Sequence, residues 1–141
     1  MTTFAAALGA GLLFILASIH VFWAAGGRWG KAVALPSDGT KGQPIFNPGI
    51  FACLTVAALL YLACGMILAR AGWLMVQVPS SWLQRATWFL AAIFLLRAMG
   101  DFRYVGFFKK IRHTAFAYWD TRLFSPLCML IALLTARVAL A

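Results

Sequence analysis

Apolar residues run along this chain in four stretches, each long enough to cross a bilayer as a helix, and three polar interruptions separate them. The first stretch, about residues 3–25, carries no charged side chain, and about 20 apolar residues suffice to span the hydrocarbon. It lacks the positive leader and short apolar core of a signal peptide, so it is expected to remain as an uncleaved helix. Small residues recur four apart in it, Ala6 with Ala10 and Ala7 with Gly11, a spacing that lets helix backbones approach closely. The second stretch, about 48–69, opens on Asn47-Pro48-Gly49, with Asn47 placed to cap and Pro48 to begin the helix. The third, about 81–100, follows a short turn at Val78-Pro79-Ser80-Ser81 in which a serine can cap. The fourth, about 121–140, tolerates Pro126 in its first turns.

The first interruption, Gly26 to Asn47, is rich in glycine and proline and long for a link between helices. The third, Gly100 to Asp120, is basic and aromatic. The pattern predicts an all-α polytopic membrane protein. It is expected to be a four-transmembrane-helix bundle with a long first loop and a basic aromatic third loop, forming a single membrane domain over residues 1–141.

Composition agrees with lipid as the solvent. Hydrophobic residues make up 64% of the chain and charged residues 11%, with mean hydropathy +0.90, whereas soluble domains carry about 25% charged residues. The net charge of +9 arises from 12 Lys and Arg against Asp38, Asp101 and Asp120. A nucleic-acid binder would carry such cations on a soluble module, and no segment is left over to form one. The cations are therefore read as facing anionic headgroups. Most of them fall in the first and third loops, which the positive-inside rule places in the cytoplasm, with both termini outside. Trp23, Trp29, Trp82 and Trp119 at the expected helix ends suit an interfacial belt. Cys53, Cys64 and Cys128 lie within apolar stretches, and the first two, about 16 Å apart on one helix, cannot bridge. Redox chemistry is not indicated, and no metal or cofactor is expected.

The informative polar groups converge at one end. His20 near the end of the first helix, Arg97 near the end of the third and Asp120 at the start of the fourth share one membrane side. Arg97 and Asp101 are four apart and can pair on one helix face. An arginine in an apolar helix costs about 2.5–3.5 kcal/mol, and pairing with Asp101 or Asp120 would offset it. The alternative is that Arg97 snorkels to the headgroups while Asp101 neutralises it. His20 suits either a helix-interface hydrogen bond or ligand work. A haem would need a second axial ligand, and the other histidine, His113, lies in the basic loop.

The run from Phe102 to Phe108, followed by Lys109, Lys110 and Arg112, suits an interfacial segment whose rings enter lipid while the cations face phosphate. Stacking on a ligand ring is the alternative. The starts of helices two and four direct positive dipole ends at the same region, so with Arg97, Arg103 and Arg122 it should attract an anionic group. The candidate ligand-binding set is His20, Trp23, Arg97, Asp101, Arg103, Tyr104, Asp120 and Arg122. The expected function is binding, for sensing or transport, of an amphipathic small molecule or a lipid with an anionic head. An intramembrane enzyme using Asp101 or Asp120 with His20 as acid and base, and an accessory subunit of a larger membrane complex or homo-oligomer, are the other readings.

The segments HVFWAAGGRWG (His20–Gly30) with Ala34-Leu35-Pro36, RAMGDFRYVGFFKK (Arg97–Lys110) and FAYWDTRLFSPLC (Phe116–Cys128) resemble the small bacterial membrane proteins of the family domain of unknown function 3995. The resemblance covers nearly the whole chain. It implies a compact four-helix protein of the bacterial cytoplasmic membrane with these motifs on one side, and it implies no activity.

Overall fold

The computed structural model describes residues 1–37 and 44–141, so Asp38 and Lys41 of the first loop lie outside the described residues. Among those described, regular structure is helical, apart from one isolated antiparallel bridge between Ser37 and Pro44. The elements are α1 (Thr2–Ala24), a single turn α2 (Lys31–Ala34), α3 (Ile50–Arg70), α4 (Ser80–Met99), α5 (Ala115–Trp119), a π-helical turn (Asp120–Phe124) and α6 (Ser125–Ala139). The last three run on as one rod of 25 residues, Ala115–Ala139. This rod, α1 and α3 are long and apolar enough to cross a membrane. The remaining long helix, α4, is less apolar because it carries Gln84, Arg85 and Arg97.

Helix α1 packs on α3 and α6, and α4 packs on α6 and α3. The α1 contact is made by small residues: Ala6 and Ala10 are buried, and Gly9 sits where an added Cβ would just touch Ile67 and Leu134 at 3.6 Å. The second small pair expected to make contact, Ala7 and Gly11, faces outward instead. The core continues through Leu13, Ile67, Leu90, Phe94, Ile131 and Val138. Large apolar side chains such as Phe4, Phe51, Leu62, Phe89 and Leu133 stand exposed on the outer faces. Small residues inside and large ones outside is the arrangement that lipid, with its apolar tails, favours.

Three local expectations are corrected. The α3 N-cap is Gly49, so Asn47 and Pro48 precede the helix and no side chain caps it. Ser80 and Ser81 are the first residues of α4 rather than its cap, which is Pro79. The last rod begins at Ala115, six residues before the expected Thr121, because Thr114 caps it: its Oγ1 accepts from the Ala117 N–H at 3.0 Å. Asp120 is therefore inside a helix rather than at its start. At that point the helix widens, with the Ser125 N–H donating to the Asp120 carbonyl five residues back. Pro126 follows immediately; it has no N–H, and its ring crowds the carbonyl four residues back. A π-turn is one way a helix absorbs this.

The C-terminus of α4 closes with two glycines. Gly100 adopts φ +89° and Gly106 φ +89°, which L side chains rarely reach. The two lie so close that a Cβ on Gly100 would fall 2.6 Å from the Gly106 Cα. The segment between them folds back over the helix end, where the Phe107 N–H donates to the Ala98 carbonyl at 2.9 Å. At the opposite end of the molecule, Gln84 Nε2 donates to the Ala139 carbonyl at 3.0 Å and ties α4 to α6.

Candidate functional site

The glycine clasp sets the backbone of the third loop against the π-turn, and a buried charge centre forms there. Asp120 is fully buried. Its Oδ1 accepts from Arg97 Nη2 at 3.0 Å, and its Oδ2 accepts from the Gly106 N–H at 2.8 Å and from Lys109 Nζ at 2.9 Å. Lys109 is 2% exposed, and its ammonium also donates to the Gly106 carbonyl at 2.9 Å and to Thr121 Oγ1 at 2.6 Å. All three ammonium donors are thus used. Removing such charges from water costs several kcal/mol per ion, and only complete pairing and hydrogen bonding return it.

Two cations share this one carboxylate, so the trio carries a surplus positive charge. Arg97 Nη1 is buried and has no partner among the described residues. A second nitrogen of the same guanidinium is thereby left as an unused donor. Elsewhere the Arg97 side chain is partly exposed, and it lines a cavity of about 490 Å³ together with Leu96, Gly100, Asp101, Val105, Phe116 and, from the first loop, Ala34, Pro36 and Phe46.

The expected pairing of Arg97 with Asp101 does not form. Helix α4 ends at Met99, and the left-handed Gly100 carries Asp101 off the helix face that spacing by four assumes. Asp101 instead caps its own turn, with Oδ1 accepting from the N–H groups of Arg103, Tyr104 and Val105 at 2.9, 2.7 and 2.9 Å. Slight burial works against its ionisation, but the three N–H donors outweigh it and hold the carboxyl below its ordinary value.

The remaining candidates are dispersed. Arg103 is exposed and stacks on Tyr104, 5.1 Å from the ring centroid. Arg122 is exposed, lies over Tyr118 at 4.0 Å and donates to its hydroxyl. His20 and Trp23 lie on the other side of the π-turn, lining a separate apolar cavity between α1 and the last rod. The structure therefore joins Arg97 to Asp120, leaves Asp101 on the wall of the cavity that Arg97 also lines, and sets His20 and Trp23 apart from them. No hydrogen bond among the described residues joins His20 to either aspartate.

Lys109, expected to face lipid phosphate, is instead the most buried cation of the site. Nothing in the sequence distinguishes it from Lys110, which is exposed. The available signal was the pair Gly100 and Gly106 inside a basic loop, a mark of tight backbone approach. The two loops also meet beyond the charge centre, where a cavity of about 590 Å³ is lined by Arg28, Lys31, Asn47, His113 and Thr114.

No curated protein and no solved structure matches this chain. The family match is extensive: residues 13–135 fit the model described as protein of unknown function (DUF3995). That span holds the whole charge centre, from Arg97 through the glycine clasp to Asp120 and Thr121, and by this match the chain belongs to that family.

Proposed function

We propose that this is a four-span protein of the bacterial cytoplasmic membrane whose loop-bearing end binds an amphipathic small molecule or a lipid with an anionic head, for sensing or transport. The observation that carries the reading is Arg97: one nitrogen is anchored on Asp120, another has no partner among the described residues, and the side chain lines an open cavity. An anchored arginine with spare donors suits a phosphate or carboxylate. Asp120 orients Arg97, Leu96 and Phe116 flank the apolar part of the ligand, and Arg103 and Arg122 contribute positive potential at the rim. Treating α4 as a fourth span rests on its 20 residues, about 30 Å of helix, and on Arg97 being compensated internally by Asp120. The loops, which hold most of the cations, then lie in the cytoplasm and the termini outside.

Native mass spectrometry of the purified protein tests this. The wild type is expected to retain lipid or another amphipathic ligand, Arg97→Lys to retain less, and Arg97→Ala to lose it while circular dichroism reports an intact helical fold. Equal retention by a folded Arg97→Ala protein would sink the arginine-clamp reading. An accessory role in a larger membrane complex is the second reading, favoured by the full pairing of Asp120. Acid–base catalysis draws less support, since both Asp120 oxygens are engaged and Asp101 serves its own turn.

A further inference from the structure

The apolar cavity on the far side of the π-turn has a volume of about 520 Å³, within the range of about 300–1,000 Å³ usual for small-molecule sites. One wall is α1 from Leu12 to Trp23, and Trp119 and Leu123 face it, with Trp29 of the first loop beside them. From Leu12 to His20 the groove follows the helix for about 12 Å. Its lining is hydrocarbon and aromatic apart from one imidazole and the indole N–H groups. The N–H of Trp23 is already spent, donating to the Trp29 carbonyl at 2.8 Å.

His20 sets the chemistry. Its Nδ1 lies 2.8 Å from the Leu16 carbonyl. A carbonyl can only accept, so Nδ1 carries the hydrogen, and Nε2 of the neutral ring is an acceptor. No described residue donates to it. The ring is held edge-on against Trp23 with centroids 5.0 Å apart, which fixes its orientation. An acceptor at Nε2 in a groove lined mainly by hydrocarbon and rings matches a molecule that brings a single O–H on an apolar body. A carboxylate, phosphate, ketone or ester offers no such donor.

We propose that this cavity binds an uncharged lipid alcohol or phenol, whose hydroxyl donates to His20 Nε2 and whose chain lies along α1 against Trp119 and Leu123. It is a second site, independent of the anionic head proposed at Arg97: among the described residues, Ala34 alone lines both cavities.

The test uses the protein in detergent, with a terminally brominated long-chain alcohol and its acetate ester as probes, read by bromine quenching of tryptophan fluorescence. The alcohol is expected to quench saturably, and the acetate to bind about 5- to 10-fold more weakly, the weight of one hydrogen bond. In His20→Phe, which keeps a ring and removes the acceptor, the two probes should bind alike. Leu123→Trp, at a half-exposed position, fills the groove and should abolish saturable quenching by both probes while leaving His20 in place. Equal binding of alcohol and acetate to the wild type overturns the proposal, as does an alcohol preference that survives His20→Phe or saturable quenching that survives Leu123→Trp. None of these outcomes bears on lipid retention at Arg97.

Discussion

Replacing Lys109 by methionine keeps most of the side chain's volume and removes its charge, so the loss reports the pairing rather than a cavity. Three hydrogen bonds disappear, to Asp120, Thr121 and the Gly106 carbonyl. Breaking a buried ion pair by deleting one partner costs about 3–5 kcal/mol. Asp120 keeps Arg97 and the Gly106 N–H, which places this substitution near 3 kcal/mol. At about 2–4 °C per kcal/mol, the melting temperature should fall by roughly 10 °C. Asp120→Asn strands two cations at once, one of them without access to water, and should cost about 5 kcal/mol on the same scale. The double variant should lose less than the sum by about 2 kcal/mol, the coupling of groups in one network. Unfolding in detergent can be followed with a thiol-reactive dye, since Cys53 and Cys64 are buried in the folded protein. Lys110→Met, at an exposed position, is the control and should stay within about 0.5 kcal/mol of wild type. If Lys109→Met melts within about 2 °C of wild type, or no lower than Lys110→Met, Lys109 is not part of a buried charge centre.

Two further outcomes follow from the third loop. Gly106→Ala puts a methyl 2.5 Å from the Gly100 Cα at a backbone angle of +89°, so the loop must shift; amide exchange should speed up at Phe107, whose N–H bonds the Ala98 carbonyl, and unchanged exchange there would refute the clasp. The Asp101 turn should depend on pH in one direction. Its folded carboxyl titrates below the ordinary 3.8, so its stabilisation is complete above that value and is lost as pH falls through the lower folded value. Amides of Arg103, Tyr104 and Val105 should exchange slowly near neutrality relative to an Asp101→Ala variant, and the difference should vanish in strong acid; equal exchange in both proteins at neutral pH would contradict the turn.

Hydrophobic length made the long helices legible, because stretches of about 20 mostly apolar residues admit few other uses. The Ala6 and Ala10 contact was legible for the same reason: only small residues let α1 approach α3 so closely. What escaped was set by single backbone angles and by tertiary contact. The spacing of Arg97 and Asp101 promised a pair only if the helix continued, and one left-handed glycine at position 100 ended it. Two adjacent lysines read identically until the fold buried one and left the other in solvent. His20 and Arg97 sit at the same end of the molecule, but depth along an axis says nothing about the angle around it, and the rod of α5 and α6 stands between them.

The widened turn from Asp120 to Phe124 holds one residue more than a regular helix needs. Without that extra residue, everything before it would rotate about 100° around the axis, and the carboxylate that now receives Arg97 and Lys109 would swing away from both. The same local insertion lets the lower rod keep Ile131 and Thr135 in the core while the upper rod presents Asp120 to the clasp. Deleting one residue between Thr121 and Phe124 would thus force a single register on the whole helix, leaving the membrane core intact and the charge centre disassembled.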